Sequence, residues 1–338
     1  MTTDAPAPTA LPVPEVARLG GAVLAQVGTA VVGMERSLRT ALATILAGGH
    51  VLFEDVPGLG KTLAARSLAT ALGLDFARLQ CTPDLLPADI TGSYVFDPAE
   101  SRFEFRPGPV FTGLLLADEI NRTSPKTQSA LLEAMAERQV SVEGRSFALP
   151  RPFHVMATSN PVEYEGTYPL PEAQLDRFMV RLDVGYPSAA AEAEVIGRRL
   201  DRRTERADVA RVVDPEALLA MQAGVEAVDV ERDIVTYCVD LAAATRRHDA
   251  VEVGASPRGS QSLVLVARAL AVLDGRDYVT PEDVKTVAVP VLAHRLTLTA
   301  QAWAGGSTGT DVVATLLESV PGPAGAPTDA VGAGARRS

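Results

Sequence analysis

Asp55-Val56-Pro57-Gly58-Leu59-Gly60-Lys61-Thr62 is the stretch from which the rest of this 338-residue chain can be read. A Gly-rich loop of this kind exposes backbone N–H groups. The helix that follows points its positive N-terminus at whatever the loop holds. The run is preceded by an apolar segment, residues 50–54, that reads as a buried strand. It is followed by residues 61–72, which read as a helix, giving the strand–loop–helix order of a phosphate loop. In that arrangement the backbone from Asp55 through Leu63 wraps the phosphates, Lys61 reaches the β- and γ-phosphates, and the Thr62 hydroxyl ligates Mg²⁺. One position departs from the G-x-x-x-x-G-K-[ST] pattern: Asp55 stands where the first Gly belongs. That Gly serves the turn, and a short polar residue tolerates unusual backbone angles better than most.

Some fifty residues on, Leu114-Leu115-Leu116-Ala117-Asp118-Glu119 supplies the natural partner of this loop. Four apolar residues ending in two carboxylates read as a core strand with acids at its tip. Asp118 is placed to hold Mg²⁺, and Glu119 to orient or deprotonate an attacking water. The implied chemistry is ATP hydrolysis with ATP and Mg²⁺ as the bound species, giving ADP and phosphate.

Composition narrows the rest. Hydrophobic residues make up 47% of the chain, enough for two cored domains, and the net charge is −11. With a pI near 5.0, a dedicated nucleic-acid binder is not expected. Cys81 and Cys238 are the only cysteines and show no metal-ligand spacing, which fits reduced thiols in the cytoplasm. No apolar run is long enough for membrane insertion, and the N-terminus lacks a basic-then-apolar signal. Residues 1–14 are Ala/Pro/Thr-rich and are expected to be disordered, as is most of 305–338, where Gly, Ala and Pro dominate.

Between those tails the pattern changes near Tyr186-Pro187. Residues 15–186 alternate short apolar strands (50–54, 76–80, 114–117, 153–158 and 180–184) with helices. This implies an α/β domain around a parallel sheet. Residues 187–304 carry helical periodicity over 188–206, 215–227, 231–247, 257–274 and 281–298, a small all-α domain. Asp214-Pro215 and Thr280-Pro281-Glu282-Asp283 are helix starts, each with a capping side chain ahead of Pro. Two hairpins interrupt the first domain, 93–105 around Asp97-Pro98 and 139–147 around Glu143-Gly144. Loops carried on a rigid nucleotide-binding scaffold tend to carry function, so both are candidate contact surfaces.

Read in order, these segments resemble the MoxR-type AAA+ ATPases over most of residues 31–300. Val31-Val32-Gly33-Met34-Glu35 is similar to the family's adenine-contacting segment, which implies Val32 and Gly33 as base contacts. Residues 82–92 with the hairpin after them resemble the family's helix-2 insert. Leu116-Ala117-Asp118-Glu119-Ile120-Asn121-Arg122 resembles its Walker B segment. Ala157-Thr158-Ser159-Asn160-Pro161 resembles sensor 1, Leu175-Asp176-Arg177-Phe178 the arginine-finger box, and Gly254-Ala255-Ser256-Pro257-Arg258 sensor 2. The resemblance implies a P-loop NTPase domain with hairpin inserts and an all-α lid. Glu119, Asn160, Arg177 and Arg258 would be its catalytic residues, and Thr62 and Asp118 its metal-side residues.

Each role has its own physical basis. Asn160 can donate and accept beside Glu119 without adding charge. Arg177 can stabilise charge on a transferring phosphoryl group. Arg258, at a helix start where a basic residue opposes the dipole, would lie over the phosphates and couple lid position to nucleotide state. Acting in trans, Arg177 requires a ring of copies of this chain, and the family implies a hexamer. It also implies a client protein that is remodelled or matured, with a von Willebrand factor A domain protein as a partner. A nucleic-acid motor or transcriptional regulator is the competing reading, disfavoured by the acidic pI and by the hairpins' few basic residues, Arg102 and Arg145. A small-molecule kinase lacks an acceptor segment, and a slowly hydrolysing scaffold would carry the same motifs.

Overall fold

The computed structural model describes residues 8–56, 58–160, 167–204 and 207–323. Its strands are β1 (Val51–Glu54), β2 (Phe76–Gln80), β3 (Gly92–Asp97), β4 (Arg102–Pro107), β5 (Leu114–Asp118), β6 (Gln139–Val142), β7 (Arg145–Ala148), β8 (His154–Ser159), β9 (Val180–Leu182), β10 (Val251–Val253) and β11 (Thr297–Leu298). The helices before Tyr186 are α1 (Val13–Gly28), α2 (Glu35–Leu46), α3 (Lys61–Ala71), α4 (Pro87–Thr91), α5 (Pro125–Glu137) and α6 (Glu172–Leu175). After it come α7 (Ala189–Arg202), α8 (Pro215–Glu226), α9 (Arg232–Thr245), α10 (Pro257–Leu273), α11 (Pro281–Leu292), α12 (Ala300–Ala304) and α13 (Gly309–Ser319). No described helix is long and apolar enough to cross a membrane.

The five apolar runs form one parallel sheet in the order β2-β5-β8-β1-β9. Because successive strand residues point to opposite faces, each run feeds two cores. Val51, Phe53, Leu114, Leu116 and Met156 pack on one side with α1, α2, α3 and the later helices. Leu52, Leu115, Ala117, Val155 and Ala157 pack on the other with α5. This is the expected α/β domain followed by an all-α lid. The first core runs without a break from the sheet into α8, α9, α10 and α11, so the lid is packed on the domain rather than tethered to it. Gly20 adds to this closeness: a Cβ there would lie 2.3 Å from a Leu273 methyl, which would have to turn aside.

Two buried histidines pin the middle of this assembly. His50 Nδ1 accepts the Val155 N–H at 2.9 Å, and its other nitrogen faces the Met135 carbonyl at 3.3 Å. His154 Nδ1 lies 2.9 Å from the Gly49 carbonyl and its Nε2 lies 3.1 Å from the Gln222 amide of α8. Burial holds both rings neutral, pushing His50 down to about 3 and His154 to about 4.

The anticipated caps form. The Asp214 carboxylate accepts the Ala217 N–H at 2.8 Å, and Thr280 and Asp283 make a reciprocal capping box. Several boundaries differ from expectation. The helix expected over 281–298 stops at Leu292, two residues past Pro290, which has no N–H to give the helix and crowds the preceding turn. The chain then makes a short turn and pairs β11 with β10. The strand expected over 180–184 stops at Leu182, because the next backbone donors are taken by a side chain described below. Ordered elements reach past both expected tail boundaries. The Leu11 N–H donates to the Ala220 carbonyl and α1 begins at Val13, inside the expected N-terminal tail. Beyond residue 304, α13 forms with a Thr308–Asp311 capping box and buries Val312, Val313 and Leu316.

Candidate nucleotide site

Residues from three sheet strands, β2, β5 and β8, from the loop after β1 and from the start of α3 meet at one end of the sheet. They line a cleft of about 260 Å³ that includes Asp55, Gly58, Gly60, Lys61, Thr62, Asp118, Glu119, Thr158 and Asn160. Gly58 and Gly60 take the left-handed backbone, φ +87° and +81°, and nothing lies within 4 Å of where their Cβ atoms would be. The loop is thus an open cradle of main chain, with Gly60 leading directly into α3. The Lys61 ammonium lies across it, donating to the carbonyls of Asp55 at 2.8 Å and Val56 at 3.1 Å. Burial pulls its pKa below the ordinary lysine value, against the charges of Asp55, Asp118 and Glu119. A polyanion with its own cation fits this lining of two cations, Lys61 and Arg78, and three acids. Pro57 lies outside the described residues.

Asp55 does more than tolerate the turn. One carboxylate oxygen accepts the Val56 N–H at 2.8 Å, while the other accepts the N–H groups of Val184 at 2.8 Å and Gly185 at 2.6 Å. The loop is thereby tied to the segment that leaves β9 for α7. Beside it, a second, more apolar cleft is lined by Val31, Val32, Gly33, Leu59, Leu63 and Tyr186 among others, next to the phosphate cradle as an adenine pocket would be.

The acids are held by a network that sequence reasoning missed. Asp118 Oδ1 accepts the Thr158 hydroxyl at 2.6 Å, and Oδ2 accepts Arg78 Nη2 at 2.6 Å and Nε at 3.1 Å. Arg78 also donates to Gln80 Oε1 at 3.0 Å, and Gln80 donates to Glu119 Oε2 at 3.0 Å. Arg122 donates to the same Glu119 oxygen at 3.1 Å. Arg78 and Gln80 sit two apart on β2, hence on one side of it, and β2 pairs in register with β5. That i, i+2 placement was visible, but the neighbouring strand was not. Glu119 has φ +58°, unusual for a non-Gly residue, and its N–H donates to the Thr158 hydroxyl. Constrained backbone of this kind collects at functional sites. Asn160 is buried, and its carbonyl accepts the Asn121 side-chain amide at 3.1 Å. Pro161, next in that segment, lies outside the described residues.

Two of the expected catalytic residues are elsewhere. Arg177 follows α6 and donates to the Leu132 carbonyl of α5; it lines a separate surface cleft with Glu133, Glu137 and Gln174. Arg258, expected over the phosphates, instead lies 3.9 Å from Asp176, the residue before Arg177, and does not line the phosphate cleft of its own chain. The physical reason is Asp176 itself. It accepts the Ser256 hydroxyl at 3.1 Å and buried Arg295 Nε at 2.8 Å, which draws the start of α10 onto the turn after α6.

Residues 50–180 match the ATPase family associated with various cellular activities (AAA), and residues 243–316 match the AAA lid domain. The chain is 44% identical to Chaperone MoxR1 of Mycobacterium tuberculosis, over 86% of this chain and 78% of that protein. It belongs to the MoxR family of AAA+ ATPases. Two further relatives match most of the chain. The protein YeaC of Bacillus subtilis is 46% identical over 89% of this chain and 93% of its own length. A solved structure from Cytophaga hutchinsonii superposes with a TM-score of 0.86 at 39% identity, covering 92% of this chain and 97% of that one. Membership accounts for the parallel-sheet domain and the lid.

The hairpins lean on each other. Phe105 of β4 and Phe147 of β7 stack with centroids 4.0 Å apart, Tyr94 packs against both, and the Arg145 guanidinium donates to the Tyr94 hydroxyl at 3.2 Å. At the far end of the first hairpin, Phe96 and Phe103 pair edge-on at 5.3 Å while remaining 49% and 68% exposed. Two exposed phenylalanines on a projecting hairpin are the opposite of what an edge cover would need.

Proposed function

We propose that this chain is a Mg²⁺-dependent ATP hydrolase of the cytoplasm, working as a ring that remodels or matures a client protein. The observation that carries this reading is the convergence of Lys61, Thr62, Asp118, Glu119 and Asn160 on one cleft beside an open Gly58–Gly60 cradle. Lys61 leaves its carbonyl partners to bind the β- and γ-phosphates. Thr62 and Asp118 would hold Mg²⁺, which would offset phosphate charge. Glu119 takes a proton from the attacking water while the water oxygen bonds to the γ-phosphorus. The bond to the bridging oxygen breaks, and ADP and phosphate result. Asn160 orients the water.

Arg177 and Arg258 lie outside their own chain's phosphate cleft, and Arg258 lies beside Asp176, the residue before Arg177. This supports presentation of Arg177 to the nucleotide of a neighbouring copy, in a closed ring that the family suggests is hexameric. The exposed Phe96–Phe103 pair supports a protein partner, with a von Willebrand factor A domain protein as the first candidate. Steady-state phosphate release by the assembled protein tests the enzyme assignment. Glu119→Gln is expected to retain ATP binding and lose at least roughly a hundredfold in turnover, because the amide keeps the shape without the base. Turnover of that variant near the parent rate would overturn the role given to Glu119.

A further inference from the structure

We propose that Arg78 is a positioning residue for the metal: its guanidinium holds the Asp118 carboxylate and makes metal binding depend on the arrival of nucleotide. This rests on the assignment of Asp118 as a Mg²⁺-side residue.

Of the two Asp118 oxygens, one accepts the Thr158 hydroxyl and the other accepts two guanidinium N–H groups of Arg78. The Asp118 side chain is only 14% exposed while that of Arg78 is 46% exposed, so the carboxylate sits in the cleft wall and the guanidinium reaches it from the solvent side. The guanidinium is fixed in turn, because its Nη2 also donates to Gln80. Arg78 lines the same cleft as the cradle. A fork with two contacts to one carboxylate is the strong form of a charge-assisted hydrogen bond. A divalent cation approaching Asp118 therefore meets a fixed positive charge and a partly neutralised carboxylate. Lys61 is a second cation in the cleft, against the carboxylates of Asp55 and Glu119. A ligand that brings its own negative charges, such as a nucleoside triphosphate, competes with Asp118 for the guanidinium and so frees the carboxylate for the metal. The site is thereby protected against filling with metal before nucleotide, which would leave the cation to be displaced or reoriented when phosphates enter.

The test uses the full chain, the variants Arg78→Gln and Arg78→Lys, and two probes. The first is calorimetric affinity for a non-hydrolysable ATP analogue across a Mg²⁺ titration, read as the Mg²⁺ concentration at half-maximal tightening. The second is Mn²⁺ alone, followed by its electron-spin resonance, with no nucleotide present. Removing one contact charge is expected to lower the Mg²⁺ midpoint of Arg78→Gln roughly tenfold and to reveal Mn²⁺ binding that the parent lacks. Arg78→Lys keeps the charge and is expected to stay within a few-fold of the parent, which separates charge from packing. Matching circular dichroism melts establish that the variants are folded. A Mg²⁺ midpoint for folded Arg78→Gln within twofold of the parent, or a higher one, overturns this proposal and leaves the nucleotide reading intact. Analogue binding by the parent that ignores Mg²⁺ overturns the assignment of Asp118 and this proposal with it.

Discussion

Asp55 and Gly185, 130 positions apart, are joined by a 2.6 Å hydrogen bond from the Gly185 N–H to the Asp55 carboxylate. The residue that breaks the usual phosphate-loop pattern is thus the one that ties the loop to the exit of β9, immediately before α7. Asp55→Gly restores the common pattern and removes the tie. The expected result is a loss on the order of 1–3 kcal/mol in urea denaturation, as for other hydrogen bonds to a charged acceptor, with affinity for an ATP analogue little changed. A denaturation midpoint equal to the parent's would show that the tie adds nothing to stability.

Lys61→Ala removes a positive charge aimed at the phosphates, and ATP affinity is expected to fall at least roughly tenfold by calorimetry. Arg177→Ala, altered outside the cleft, is expected to bind ATP normally and hydrolyse it poorly in the assembled state. Mixing these two inactive proteins pairs an intact loop on one copy with an intact Arg177 on the next, so partial activity is expected to return. With subunit exchange verified by fluorescence transfer, a mixture that stays inactive argues for Arg177 acting within its own chain or for a ring that tolerates no defective copy.

His50 and His154 predict an acid-side loss of stability. Both are buried with folded pKa values depressed to about 3 and about 4, whereas an unfolded chain protonates histidine near its ordinary value. The unfolded state therefore binds more protons as pH falls below about 6.5. Each ring costs about 1.4 kcal/mol per pH unit until its folded pKa is reached, and neither has any effect above neutrality. Urea melts at pH 7.5, 6.0 and 5.0 check this. His154→Gln, which keeps a polar side chain in place of the ring, is expected to flatten the slope over that range. An unchanged slope would assign the acid sensitivity to other groups.

The exposed hairpin tip offers a third handle. Phe96→Ser together with Phe103→Ser removes apolar surface far from the cleft. It is expected to leave basal phosphate release within about twofold of the parent, since surface substitutions seldom perturb a distant site. Pull-downs of the Glu119→Gln protein with and without these changes, read by mass spectrometry, are expected to lose the client. An identical set of captured proteins would place client contact elsewhere.

Much of the fold is local and was therefore legible. The strand expected over 76–80 forms with the same bounds as β2, and 257–274 differs from α10 by one residue. Strand and helix periodicities, caps and turn residues act over a few positions and are written directly in the chain. The phosphate loop and the paired acids are equally local, so Lys61, Thr62, Asp118 and Glu119 could be found without knowing how the sheet closes. α13 was legible too, through Thr308-Gly309-Thr310-Asp311 before an apolar run, but the surrounding Gly- and Ala-rich composition hid it.

What only the tertiary structure decided is which distant groups share a side chain's reach. Strand order places β2 beside β5, and that adjacency alone gives Arg78 to Asp118 and Gln80 to Glu119. The packing of the lid puts Ser256, Arg258 and Arg295 around Asp176 instead of over the phosphates. Hydrogen bonds and ion pairs act within a few ångströms and are indifferent to separation along the chain. A sequence can name the donors and acceptors, but the sheet and the packed lid determine which of them meet.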